Sequence, residues 1–470
     1  MSKEKIEFGD FQTPLELAEI ACERLVTLGV SPDVIIEPTC GVGAFVIASV
    51  NYFSSTKKVY GIDINSDYLD VLEGALCGHP RQNVVSIEHG DFFRYDWAGK
   101  SSDVDGNLLV LGNLPWVTNT VQSKIDSYNV PEKDNVVGLG GLDAITGKAN
   151  FDISEWMMID MLKWSPGKKI DIAIMLKTAV ARKILSYVEK HKIGCYYSEI
   201  ITVDARKEFG ASVDACFFIM RIDSQVKPSY DYKVFESFSD KTGRLCGHRK
   251  GFLVSDIDTF ELSSRFVSAP PKKWRSGMKH DASSVMELKQ HDGVLVNGYG
   301  DVVDIEVEVV YPLLKGSRVG SGKGWDNRFV IVTQERVGED TSYIETKYPK
   351  AWRYLISHAD KLDGRKSVIY KKNPRFSVFG VGEYTFKPWK IAICGLYKKL
   401  SFTLVAPIDN KPVVFDDTVY FLSFDLEQDA LDALDKLQSK PVLGAISSMI
   451  FWDEKRPIKA TILNSIDWTA

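Results

Sequence analysis

An amide, a kinked backbone and an aromatic plane stand together in Asn113-Leu114-Pro115-Trp116, separated only by Gly112 from the apolar run Leu108-Leu109-Val110-Leu111. Asn113 offers a side-chain carbonyl as acceptor, Leu114 a backbone carbonyl, and Trp116 a flat face for stacking. Such a set can grip a planar amine, for instance the exocyclic NH2 of a nucleobase. Three other apolar runs end in matching chemistry. Glu37-Pro38-Thr39-Cys40-Gly41-Val42-Gly43-Ala44 follows Val34-Ile35-Ile36 and opens a helical segment. There Gly41 and Gly43 allow a tight turn and close backbone approach to a ligand at a helix N-terminus. Asp63, the first acid after the second run, can accept hydrogen bonds from both hydroxyls of a ribose. Asp91, in Gly90-Asp91-Phe92-Phe93, can accept from an adenine N6 while Phe92 packs on the ring. The glycine loop lacks the third glycine of the dinucleotide fingerprint, and no hydride-transfer apparatus is visible, which argues against NAD.

The elements that must position these residues alternate. Strands are expected over 34–36, 59–64, 84–88, 108–111 and 170–176, and helices over 14–28, 44–52, 68–76, 153–164 and 180–191. Thr13-Pro14-Leu15-Glu16 reads as a capping box, with Thr13 as the N-cap of the first helix. Alternation of this kind predicts an α/β fold, a parallel Rossmann-like sheet with helices on both faces. The last strands, 199–203 and 215–222, have no helical segment between them and are expected to form a terminal antiparallel hairpin. Residues 117–150 are long for a connection and carry Gly138, Gly140, Gly141 and Gly147, so a mobile loop over the site is expected there. Beyond Asp223 the runs become short and β-like (293–297, 302–310, 329–333, 367–370, 391–394, 402–407 and 418–424), followed by a helix over 425–438. The expected division is a catalytic domain over 1–225 and a mixed α/β or mainly β domain over 226–470.

Composition narrows the class. With 44% apolar and 26% charged residues in 470, the chain reads as an ordinary globular protein of two or three domains. A net charge of −5 argues against a generally basic nucleic-acid coat protein. The seven cysteines are scattered with no CxxC pair, so neither a disulfide framework nor a metal site is expected. No apolar span of membrane-crossing length and no leader-like segment is visible, which predicts a cytoplasmic protein without a membrane partner.

Taken in order, these motifs resemble those of S-adenosylmethionine-dependent adenine-N6 DNA methyltransferases of the γ arrangement, as found in restriction-modification systems. The resemblance covers roughly the first 220 residues. It implies a Rossmann-like class I methyltransferase sheet, S-adenosyl-L-methionine as cofactor, and a C-terminal target-recognition domain. By the same resemblance, Gly9-Asp10-Phe11-Gln12-Thr13-Pro14 touches the methionine part of the cofactor through Phe11 and Thr13. Glu37, Cys40, Gly41 and Gly43 belong to the cofactor loop, Asp63 holds the ribose, and Asp91 with Phe92 holds the adenine. Asn113, Leu114, Pro115 and Trp116 form the catalytic motif. Leu114 departs from the family's proline, which keeps the backbone carbonyl but leaves φ free. Phe217 or Phe218 is a candidate to flank a flipped base, with core packing as the alternative.

Double-stranded DNA is the implied partner, and any restriction endonuclease would be a separate chain. The ten Lys/Arg between residues 361 and 400, against only Asp363 and Glu383, are expected to face DNA, as is Lys272-Lys273-Trp274-Arg275. A methyltransferase using the same motif on an RNA adenine or a protein glutamine is the alternative.

Overall fold

The computed structural model describes residues 11–102, 106–116, 152–164 and 169–470. The expected loop over 117–150, like Gly9 and Asp10 of the N-terminal motif, lies outside the described residues. The chain forms two compact units, Met1–Leu253 and Val254–Ala470.

In the first unit, helix α1 (Leu15–Thr27) precedes β1 (Val34–Glu37), α2 (Ala44–Tyr52), β2 (Lys58–Asp63), α3 (Ser66–Leu76) and β3 (Val85–His89). Then come α4 (Trp97–Ser102), β4 (Leu108–Asn113), α5 (Ile153–Met161), β5 (Ile170–Lys177), α6 (Thr178–Lys190), β6 (Cys195–Val203), α7 (Ala205–Phe209) and β7 (Ala215–Ile222). Strands β8 (Tyr232–Phe235), β9 (Arg244–Arg249) and β10 (Phe252–Val254) complete one sheet in the order β10-β9-β8-β6-β7-β5-β4-β1-β2-β3. Strands β3, β2, β1, β4 and β5 run parallel, and β7 is antiparallel to both β5 and β6. This is a Rossmann-like parallel sheet with an antiparallel extension.

The apolar runs are continuous rather than alternating because both faces of the sheet are covered. Ile36, Val110 and Ile172 pack on one side, Ile35, Leu109 and Ala173 on the other. Strand β1 pairs with β2 on one edge and β4 on the other, so the connections after β1 and β4 diverge. A crevice at the carboxyl ends follows from that divergence.

Three expectations need correction here. The strands over 199–203 and 215–222 do pair antiparallel, but α7 connects them, capped by the Asp204 carboxylate accepting from the Arg206 and Lys207 amides. Nor is that pair terminal. Strand β8 adds parallel to β6 and β9 antiparallel to β8, so the first unit runs past the expected 225/226 boundary to Leu253. Thr13 is not a cap either: α1 begins at Leu15 with Pro14 before it and no side-chain cap, leaving the Thr13 hydroxyl for another partner.

The second unit is mixed α/β. A four-stranded sheet orders β11 (Arg275–Ser276), β19 (Val419–Phe424), β16 (Trp389–Cys394) and β17 (Thr403–Val405). A five-stranded one orders β13 (Val294–Val296), β12 (Glu287–His291), β15 (Arg328–Ile331), β14 (Val310–Leu314) and β18 (Val414–Phe415). The expected strand over 367–370 is instead the short helix Val368–Lys371. The alternation over 302–310 does not mark a strand: the Glu306 carboxylate caps the helix Pro349–Ser357 by accepting from the Lys350 and Ala351 amides. Among the described residues, no helix is long and apolar enough to cross a membrane.

Much of the expected basic face serves the fold. Arg365 is buried and donates to the carbonyls of Leu362, His280 and Ser377, while Arg375 and Lys387 pair with Asp363 and Asp425. Lys272 donates to the Ser423 carbonyl at 2.8 Å, and Trp274 packs against Phe402. Lys361, Lys366, Lys371, Lys372, Lys398 and Lys399 remain exposed.

Lys390 is 1% exposed, and its ammonium donates to the carbonyls of Thr385 and Val413. Burial pulls its pKa down to about 7. Lys390→Met would strand two buried carbonyls, each costing about 1–3 kcal/mol. The expected result is a lower denaturation midpoint for the second unit, equivalent to about 2–6 kcal/mol; an unchanged midpoint would contradict the structural role.

Candidate functional site

The crevice at the carboxyl ends of β1, β2, β3 and β4 is a cleft of about 910 Å³, open to solvent. Phe11 and Thr13, ahead of α1, line it together with Glu37, Cys40, Gly41, Asp63, Asp91, Phe92, Asn113, Leu114 and Pro115, which stand at or just beyond strand ends. Gly43 and Trp116 do not.

The loop after β1 is built around two acids. Gly41 donates its amide to Asp63 Oδ2 at 2.8 Å, and Asn65 donates to Oδ1 at 2.9 Å. Asp63 therefore ties the turn after β1 to the turn after β2. Gly41 has φ +51°, and a Cβ there would lie 2.4 Å from Gln12 Oε1, which itself accepts the Val42 amide. Gly43, at φ +85°, serves packing instead: its missing Cβ would lie 2.1 Å from Leu72 Cδ1 of α3. Both glycines are thus required by neighbouring side chains, and of the two only Gly41 lines the cleft. Cys40 is buried, and burial pushes its thiol pKa up, as does the charge of Glu37, so it is an inert part of the wall.

Glu37 ends β1 almost fully buried, and among the described residues Oε2 has no hydrogen-bond partner. Burial drives its carboxyl well above the usual range; a hydrogen bond from the Val46 backbone amide opposes the rise and the charge of Asp63 adds to it. A buried acid with an orphan oxygen beside a cleft suits a bound cation, which would hold it ionised. A nucleoside bearing a sulfonium and an ammonium fits this cleft: an acid at Glu37, a carboxylate at Asp63, and the Gly41 turn that joins them.

On the opposite lip, Asp91 accepts the Phe93 amide at 2.9 Å. The Phe92 ring sits 5.3 Å from Trp97 and 5.8 Å from Trp164, centroid to centroid, so it is a fixed apolar wall.

Asn113 closes the site. Its Nδ2 donates to the Phe11 carbonyl at 3.0 Å and to Thr13 Oγ1 at 3.2 Å. The Phe11 carbonyl can only accept, so this pairing fixes which end of the amide is which. Among the described residues, none donates to the buried Oδ1. A buried carbonyl without a donor costs on the order of 1–3 kcal/mol and is rare enough to require a reason.

Leu114 gives its own account of the departure from proline. Its side chain is 1% exposed in the core, and its amide donates to the Met175 carbonyl at 3.1 Å, a bond proline cannot make. Packing and that bond fix the backbone that a proline ring would otherwise restrain. Among the described residues, none donates to the Leu114 carbonyl.

Trp116 is 5% exposed and stands beside the cleft, its ring 5.1 Å from Phe11 and 4.9 Å from Phe209. Phe209, at the end of α7, was not visible as a site residue because one aromatic in an Arg-Lys-Glu-Phe-Gly segment carries no spacing signal. Phe217 and Phe218 are fully buried on opposite faces of the sheet, in the core, and neither flanks the cleft. Gln12 and Tyr68 also line the cleft without having been singled out.

No protein-family model matches the chain. It is 46% identical over 469 residues to the type II methyltransferase M.NspV of Nostoc sp., covering 99% of this chain and 97% of that protein. It is 21% identical over 444 residues to the type II methyltransferase M.BanIII of Aneurinibacillus aneurinilyticus, covering 79% and 74%. Among solved structures, the type IIL restriction-modification enzyme MmeI in complex with DNA is similar at TM-score 0.55 and 12% identity. That match covers 96% of this chain and 64% of the other, and bears on the fold alone.

Proposed function

The chain belongs to the type II methyltransferases, and from that premise we propose that it is a site-specific DNA methyltransferase of restriction-modification type that methylates adenine N6 in duplex DNA. The methyl donor is S-adenosyl-L-methionine, held by Glu37, Gly41, Asp63, Asp91 and Phe92. The observation that carries the choice of an amine is the orphan, oriented Oδ1 of Asn113 beside the Leu114 carbonyl.

An exocyclic amine is a poor nucleophile because its lone pair is delocalised into the ring. Asn113 Oδ1 and the Leu114 carbonyl each accept one of its N–H groups, which favours a pyramidal nitrogen with the lone pair localised. When bound, the cofactor supplies an electrophilic methyl on a sulfonium that departs as a neutral thioether. No acid is needed to assist that departure, and the proton that the methylated nitrogen gives up passes to solvent through the open cleft, so positioning and fixed dipoles carry most of the rate. The target base must leave the duplex, at a cost of a few kcal/mol. Stacking offsets this by roughly 1–3 kcal/mol per base, and Phe11, which lines the cleft against the ring of Trp116, is the aromatic placed to supply it. Any cognate nuclease is a separate chain.

The test is transfer of labelled methyl from S-adenosylmethionine to duplex DNA, to RNA and to protein in parallel. Label in duplex DNA alone is expected. Label confined to RNA or protein would overturn the reading.

A further inference from the structure

The second unit has a cleft of its own, about 1000 Å³, on the polar face of the β13-β12-β15 sheet. Glu287, Lys289 and His291 alternate along β12 and share that face, while Leu288 points into the core. Lys289 of β12 is directly opposite Arg328 of β15. Like charges in that position destabilise a sheet, so their persistence calls for something placed between them and the solvent.

The floor is Glu287. Burial alone would raise its carboxyl, but hydrogen bonds from His280 and Lys315 outweigh burial and hold it down to about 2. Lys315 Nζ lies 2.7 Å from Oε1 and is backed by Asp416 at 3.4 Å. Among the described residues, Oε2 faces only Arg328, at 3.7 Å, and Arg328 approaches Asp326 at 3.6 Å while its buried Nε makes no hydrogen bond. The cleft therefore presents a positioned guanidinium with donors to spare next to an ionised acceptor.

We propose that this cleft reads a base edge of the target sequence, with Arg328 donating to the O6 and N7 of a guanine and Glu287 as the positioning residue that holds it. The inference rests on the DNA reading above. A phosphate would meet the Arg and Lys groups but be repelled by the Glu287 carboxylate on the floor. A G·C pair offers both kinds of partner: acceptors on guanine for Arg328 and the cytosine N4 donor for the carboxylate.

The experiment is methylation of a duplex library randomised across the target site, sequenced for modified positions, with the wild-type protein, Arg328→Ala and Arg328→Lys. Wild type should require a guanine at one position that Arg328→Ala reads at least ~10-fold less strictly, with the rest of the site retained. Arg328→Lys should restore overall binding but not that discrimination, since an ammonium cannot bridge O6 and N7. Uniform weakening across all sequences, with the salt slope reduced by about one, would make Arg328 a phosphate contact and overturn the proposal. So would an unchanged pattern in both variants. A wild-type protein that methylates no duplex overturns the DNA reading itself, which sets that failure apart from a failure at Arg328.

Discussion

Asn113→Ala is expected to slow the methyl-transfer step by about 10²–10³, the usual penalty for deleting one preorganised polar group aimed at the reacting centre. The truncation removes Oδ1, one of only two acceptors positioned for the amine. It also removes Nδ2, which anchors Phe11 and Thr13 to the end of β4. Because α1 and the β1 loop have their own packing, cofactor affinity should fall far less than the rate. Single-turnover kinetics with saturating cofactor would separate the two. A rate within a few-fold of wild type would remove Asn113 from the reaction.

The second large effect is expected at Asp63. Asp63→Ala removes the ribose acceptor and at the same time releases the Gly41 and Asn65 amides, which it holds at 2.8 and 2.9 Å. Hydrogen bonds to a charged acceptor are worth about 1.5–3 kcal/mol each, so losing the ribose contacts with the loop geometry should cost about 3–4 kcal/mol of cofactor binding. That corresponds to a Kd raised roughly 10²–10³-fold. Asp63→Asn keeps an acceptor but loses the charge and should fall between the two. Calorimetric titration with S-adenosylmethionine measures it directly, and an unchanged Kd for Asp63→Ala would place the cofactor elsewhere.

The site was legible in the sequence because its chemistry sits at strand ends. Glu37, Asp63 and Asn113 close apolar runs that only a two-faced parallel sheet can bury, so their convergence followed from the period of the pattern. What was not legible depends on distant packing. Thr13 sits in a sequence that spells a capping box, but its hydroxyl is 3.2 Å from an amide a hundred residues away. Phe217 and Phe218 carry the right chemistry in the wrong place, turned into the two cores by the sheet's alternation. Gly43 and Gly41 read alike, though Leu72 fills the space beside one and Gln12 beside the other. The basic run over 361–400 was legible only in part, because a count of charges cannot tell an exposed lysine from Lys390 or Arg365, which are buried and bonded to carbonyls.

The most direct test of the central claim is to incubate unmodified duplex DNA with the protein and S-adenosylmethionine, digest it to nucleosides and resolve the methylated product by mass and chromatography. The account predicts N6-methyladenine as the product, absent when Asn113→Ala replaces the wild type. Methylation of cytosine, at carbon or nitrogen, would contradict it.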